Sequence, residues 1–115
     1  MRVLIQRVSA GSVSAEGQEA RHIGPGLVIL LGVAKSDTVA DIDYLVDKTM
    51  NLRVFNDDEG KMNRSLLDVG GEALIVSQFT LYGYLKGNKP DFHLNMPPDE
   101  AREFYSDFVN RMQQA

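Results

Sequence analysis

Leu27-Val28-Ile29-Leu30-Leu31 is the longest apolar run of the chain, and it continues through Gly32 to Val33. A stretch that carries apolar residues on both of its faces predicts a central strand covered on each side. It is far shorter than the ~20 residues of a membrane span. Directly after it the period changes. Ser36 or Asp37 can cap a helix, and Val39, Ile42, Leu45, Val46, Thr49 and Met50 recur at spacings of three and four, leaving Asp41, Asp43 and Asp47 for solvent. A buried strand feeding an amphipathic helix points to a layered α/β arrangement.

The flanking sequence adds to this frame. Val3 to Val8 is a short β-rich run, interrupted by Ser9-Ala10-Gly11 and continued by Ser12 to Ala15; Glu16-Gly17-Gln18 has turn chemistry, and Glu19 to Ile23 can return as a second hairpin arm. Gly24-Pro25-Gly26 breaks the chain before the apolar run. It lacks the spacing of a phosphate loop and leads into a strand, so it reads as a connection. Leu52 to Phe55 is expected as a short strand, Asn56 to Gly60 as an acidic turn without a calcium-loop ligand pattern, and Glu72 to Ser77 as a second buried strand. A last helix from Pro98 to Gln113 places Ala101, Phe104, Tyr105, Phe108, Val109 and Met112 on one face. The predicted fold is therefore a β-rich core of mixed sheets with two helices, Asp37 to Leu52 and Pro98 to Gln113, packed on one side. No repeat, linker or charge run divides it.

Composition narrows the function classes. At 115 residues the chain suits one domain and can bury roughly two-thirds of its unfolded surface. There is no cysteine, hence no disulfide or thiolate site, which fits a cytoplasmic protein. Gln6 and Arg7 arrive before a signal-peptide core could form. His22 and His93 are the only imidazoles and lie far apart, so no metal site is expected. With 12 basic and 16 acidic side chains the net charge is −4, an overall balance that disfavours nucleic acid unless a local patch reverses it.

The chemistry-bearing residues concentrate after the second buried strand. Ser77-Gln78-Phe79-Thr80-Leu81-Tyr82 puts hydroxyl and amide groups where an apolar strand emerges, which suits either a site or the capping of backbone groups at a strand end. The following loop, Gly83 to His93, combines Lys86 and Lys89 with Tyr84, Phe92 and His93. Lysines for phosphate and rings for stacking suit single-stranded RNA; equally, Gly and Pro can shape a surface turn while Phe92 plugs the core. Ser77 has no nucleophile-elbow setting, and Thr80 would need a base to become a nucleophile, with His93 the only candidate nearby in sequence.

Ser77-Gln78-Phe79-Thr80-Leu81, the Lys86-Gly87-Asn88-Lys89-Pro90-Asp91-Phe92-His93-Leu94 loop, Val3 to Val8 and Asn51-Leu52-Arg53-Val54-Phe55 together resemble the D-aminoacyl-tRNA deacylase family, formerly called D-tyrosyl-tRNA deacylase. The resemblance runs from Met1 to about Met112. The NKPDFH loop is similar to eukaryotic members, whereas Asp58 to Asn63 and Leu67 to Gly71 are similar to bacterial ones. The resemblance implies a cytoplasmic homodimer, without cofactor, that hydrolyses the ester joining a D-amino acid, or mischarged glycine, to the acceptor end of tRNA. Ser77, Gln78, Phe79 and Thr80 match the family's pocket. By similarity the backbone N–H groups of Phe79 and Thr80 face the substrate, Ser77 and Gln78 shape the site near the terminal adenosine, and the ribose 2′-hydroxyl assists attack by water; Thr80 as nucleophile ranks second. Arg7, Lys86, Lys89, Phe92 and His93 are the expected substrate and tRNA contacts, with the two lysines beside Phe79 as the local positive patch. Membrane association is not expected.

In one respect the chain departs from the resemblance. Family members continue beyond the last helix into a segment whose Gly-Pro pair rejects L-amino acids in the partner's pocket, and Arg7 helps hold that loop. This chain stops at Gln113-Gln114-Ala115, so weaker rejection of L-aminoacyl-tRNA and an exposed sheet face or edge are expected. Two further readings stand beside the deacylase: a dimeric module that binds the acceptor end without turnover, and a Thr80-dependent esterase for small esters.

Overall fold

A computed structural model describes all residues 1–115. Its centre is a three-stranded mixed sheet in the order β1-β4-β7. Strand β1 (Arg2–Val8) runs antiparallel to β4 (Gly26–Gly32), and β4 runs parallel to β7 (Glu72–Ser77). The apolar run is thus the central strand. Between β1 and β4 lies a small hairpin of β2 (Gly11–Val13) and β3 (Arg21–Ile23). The crossover from β4 to β7 carries α1 (Val39–Asn51), the pair β5 (Phe55–Asn56) and β6 (Met62–Arg64), and a one-turn helix α2 (Leu66–Val69). After β7 the chain makes a 3-10 turn, Phe79–Tyr82, then a ribbon of β8 (Tyr84–Lys86) and β9 (Lys89–Asp91), and ends in α3 (Pro98–Gln114).

Odd-numbered residues of the sheet build the core. Leu27, Ile29 and Leu31 are fully buried against Ile42, Val46 and Met50 of α1 and Phe108 and Met112 of α3, with Val3, Ile5, Ala73 and Ile75 packed around them. Both long helices lie on this face, as expected. The opposite face departs from the two-sided cover expected of the apolar run and fits the exposed sheet face or edge that was also expected. Gly11 crosses over Val28 there, yet Leu4 remains 56% exposed, and Leu30 and Val76 are only half-buried. The run Leu27 to Val33 is therefore covered fully on one side and partly on the other, because the β2–β3 hairpin reaches only its first half. Strand β7 also forms an edge. Glu72 and Gln78 direct their backbone N–H groups toward the β4 side, at 3.1 and 2.8 Å from Pro25 O and Leu31 O, so Ala73, Ile75 and Ser77 turn theirs outward.

Three local expectations shift. Helix α1 is capped by Thr38, whose backbone N–H donates to Asp41 at 2.8 Å, rather than by Ser36 or Asp37. Asp37 is instead engaged by the amino terminus at 2.6 Å and the Ala34 N–H at 2.7 Å. The strand expected at Leu52 to Phe55 shrinks to Phe55–Asn56, because Leu52 is the C-cap of α1. Helix α2 has no sequence period to reveal it. It stands on a reciprocal cap, Ser65 N–H to Asp68 at 2.8 Å and Asp68 N–H to the Ser65 hydroxyl at 3.1 Å, which holds the Asp68 carboxyl below its ordinary range. No helix is long and apolar enough to cross a membrane.

Candidate functional site

The site grows from the carboxyl end of β7. Ser77 pairs with Leu31 in register, and Gln78 donates its backbone N–H to the Leu31 carbonyl before the chain leaves the sheet. It then closes tightly over the end of β4. Gly32 makes this possible, since a Cβ there would stand 3.0 Å from Leu81 Cβ and 3.3 Å from the Gln78 carbonyl. Tyr82, 8% exposed, anchors the turn, with the Arg2 guanidinium 4.4 Å above its ring and Arg2 donating to the Leu81 carbonyl at 2.9 Å. Burial, then Asp37, hold the Tyr82 phenol above its ordinary pKa, and Arg2 opposes them.

Because the 3-10 turn begins at Phe79, its first N–H groups have no preceding turn to bond. Phe79 and Thr80 open the turn and have no acceptor for their backbone N–H within it, while Leu81 and Gly83 donate to Gln78 and Thr80. Two adjacent donors therefore stand free where Ser77, Phe79 and Thr80 are exposed. The Gln78 side-chain amide donates to the Thr80 hydroxyl, and no imidazole, amine or carboxylate contacts that hydroxyl. Thr80 thus has no base.

Beside these residues opens an apolar slot of about 540 Å³ between the sheet end and the start of α3. Leu31, Val33, Met96, Pro98, Ala101 and Tyr105 line its depth, and Ser77, Asn95 and Arg102 supply the polar groups. Phe79 and Phe92 meet edge-to-face at its rim, ring centroids 5.1 Å apart. Gly83 admits Phe92, as a Cβ there would come within 2.6 Å of its ring. Phe92 is 37% exposed, so it is a rim residue and not a core plug. Asn95 is fixed by donating to the Phe92 carbonyl at 3.0 Å.

Of the sequence-predicted residues, the fold brings Ser77, Gln78, Phe79, Thr80 and Phe92 together. Lys86 and Lys89 face each other at the far end of the β8–β9 ribbon, and His93 lies at its base. Arg7 is not brought to this cluster. It pairs with Leu27, at the other end of the sheet from Ser77, and its guanidinium donates to the Val54 carbonyl at 2.8 Å and to Asn56 at 3.2 Å. His22 is an exposed residue of β3. No three His, Asp or Glu side chains gather to hold a metal ion. Sequence reasoning missed Arg2, Asn95, Arg102 and Tyr105, which belong to other elements and reach the site only through tertiary contact. Helical spacing places Tyr105 on the core face of the last helix but does not reveal that its hydroxyl donates to the outward Ile75 carbonyl of the edge strand at 2.8 Å.

The chain is similar to known proteins along most of its length. The sequence model of the family described as D-Tyr-tRNA(Tyr) deacylase matches residues 4–115. A D-aminoacyl-tRNA deacylase of Thermosipho africanus is 53% identical over 96% of this chain and 74% of its own length, and one of Heliobacterium modesticaldum is 57% identical over 89% and 69%. Among solved structures, the c-Myc DNA unwinding element binding protein superposes with a TM-score of 0.93 at 44% identity, over 99% of this chain and 77% of its own. With a family match across nearly its whole length and relatives that share about half of its residues, this chain belongs to the D-Tyr-tRNA(Tyr) deacylase family.

Proposed function

We propose that residues 1–115 form one deacylase domain that hydrolyses the ester between a D-amino acid, or mischarged glycine, and the terminal ribose of tRNA, as a proofreading step in translation. The observation that carries this reading is the pair of free N–H groups of Phe79 and Thr80 at the mouth of an apolar slot. When water adds to the acyl carbon, the carbonyl oxygen gains negative charge, and two preorganised N–H donors are suited to receive it. The C–O bond to the ribose then breaks, the carboxylic acid keeps the water oxygen, and the proton passes to the departing 3′-oxygen. An aminoacyl ester is already activated, so positioning and oxyanion stabilisation suffice without a protein nucleophile. The proton of the attacking water is taken with help from the neighbouring 2′-hydroxyl, since Thr80 has no base.

The slot receives the aminoacyl end, with Ser77 and Gln78 toward the terminal adenosine and the Phe79–Phe92 rim available for stacking. Lys86 and Lys89 supply the positive charge that the net charge of −4 conceals. The reaction consumes only water and calls for no cofactor. On this reading the protein acts in the cytoplasm, away from membranes, as a homodimer, and the incompletely covered stripe Leu4, Leu30 and Val76 favours a second copy as its cover.

The test is release of labelled tyrosine from tRNA charged with D-Tyr or with L-Tyr. Turnover of the D-ester well above the enzyme-free rate is expected. RNA binding without release would favour the acceptor-end binding module, and Thr80-dependent cleavage of a free amino-acid ester would favour the small-ester esterase.

A further inference from the structure

The β8–β9 ribbon packs chiefly against itself and pairs Tyr84 with Asp91, Leu85 with Pro90 and Lys86 with Lys89. Like charges directly opposite each other weaken a ribbon. Neither lysine has a carboxylate partner among the chain's ion pairs, while the charge of Lys35 acts on Asp91 at the other end of the ribbon. Such a tip suits an anionic strand.

At the base of the ribbon, two residues position one imidazole. Asp91 accepts the backbone N–H of His93 at 2.9 Å and stands 2.7 Å from its Nδ1, and the Tyr84 hydroxyl lies 2.9 Å from the same nitrogen. The Tyr84 ring also meets the imidazole edge-on, centroids 5.5 Å apart. The backbone bond first, and then the side-chain bond, hold the Asp91 carboxyl below its ordinary range, so it is ionised at neutral pH and can only accept. Nδ1 must therefore carry the hydrogen. In the neutral ring Nε2 then presents a lone pair, and it has no partner on a side chain that is 58% exposed.

A tautomer-fixed acceptor between a stacking rim and a pair of free lysines has a match in nucleic acid. Along a strand the ribose lies between base and phosphate, as His93 lies between Phe92 and the ribbon. The hydroxyl donor found on the ribose of RNA and absent from DNA is the 2′-OH. We propose that His93 Nε2 accepts a hydrogen bond from a ribose 2′-hydroxyl in the unpaired strand before the terminal, aminoacylated nucleotide, making His93 a specificity-determining residue for RNA over DNA. The inference rests on the deacylase reading above.

The test uses D-tyrosyl acceptor minihelices, all-ribose or with one 2′-deoxynucleotide at each unpaired position before the terminal one. For the unaltered protein, one such deoxy position raises KM about five- to tenfold with kcat unchanged, the size of a single neutral hydrogen bond. His93→Asn keeps an amide N–H for Asp91 but loses the acceptor. It raises KM on the all-ribose substrate by the same factor and no longer responds to that deoxy position. His93→Gln, whose amide oxygen falls near the Nε2 position, restores the response. Equal KM for every minihelix with the unaltered protein, discrimination that persists in His93→Asn, or a response that follows the base at an unchanged ribose overturns the proposal. If the unaltered protein releases no tyrosine from the all-ribose substrate, the deacylase reading fails on its own. The ribose comparison is then read from the Kd of uncharged minihelices, where absent binding or absent discrimination overturns it.

Discussion

Replacing Thr80 by valine separates the two chemical routes that the site permits. Valine keeps the branched shape at Cβ and removes only the hydroxyl. In this fold that hydroxyl is exposed, accepts from the Gln78 amide, and has no imidazole or carboxylate to take its proton. Its loss therefore removes one neutral hydrogen bond, worth about 0.5–1.5 kcal/mol, and the half-buried Gln78 amide can turn to water in its place. Carried in full into the transition state, that amounts to roughly a two- to twelvefold loss of rate. Loss of a true nucleophile costs on the order of 10⁴-fold or more. Single-turnover deacylation of D-Tyr-tRNA, with binding of a non-hydrolysable amide analogue measured in parallel, tells these apart. A residual rate within about twentyfold of the unaltered protein supports water attack at the Phe79 and Thr80 N–H groups. A loss beyond about 10³-fold with analogue binding intact refutes it and makes Thr80 the nucleophile.

Other substitutions test the scaffold. Phe108→Ala empties a fully buried site between α1, α3 and the sheet and is expected to cost about 3–5 kcal/mol in a denaturant titration; a loss under about 1 kcal/mol would contradict the assigned core. Gly26→Ala places a Cβ 1.8 Å from the Glu72 carbonyl, so β4 and β7 must separate there; expected is a loss of about 1–3 kcal/mol or more, and a neutral outcome would contradict the close parallel pairing. The Asp68 carboxyl is held below its ordinary range first by the Ser65 backbone N–H and then by its side chain. Its contribution is thus present above the unfolded carboxylate value near ~3.9 and lost as pH falls through the lower folded value. Asp68→Asn should flatten the acid limb of stability below about pH 4 while leaving its shape near neutrality unchanged, and an identical acid limb would rule out this cap as a contributor.

Much of the architecture was legible because hydrophobic period reports burial directly. Leu27 to Leu31 had to be the central strand, and Ile42, Val46 and Met50, like Phe108 and Met112, recurring every four residues, had to face it. Within the site, Ser77 to Thr80 could be marked because polar side chains follow an apolar strand. The chain's resemblance to a deacylase family was likewise present in its motifs. What period alone could not reveal was coverage from distant segments. Whether the second face of β4 is closed depends on where a hairpin lands, and it lands on Val28 while leaving Leu4 exposed and Leu30 half-buried. Helix α2 was hidden for a related reason, since one turn is too short to establish a period and rests on the Ser65–Asp68 cap.

Residue type and order alone determined the strand-helix grammar, the polar segment at the strand end and the deacylase motifs. Tertiary structure decided which of those residues act together. Arg7, close to the start of the chain and part of the expected contact set, is directed to Val54 and Asn56, while Arg2, five positions earlier, braces the turn that carries Phe79 and Thr80. A strand separates such neighbours by roughly 17 Å along its length, so its two ends serve different surroundings however alike their side chains are. The tautomer of His93 is likewise not written in its own identity. It follows from the acceptor-only carboxylate of Asp91, which strand register sets across from Tyr84 on the ribbon.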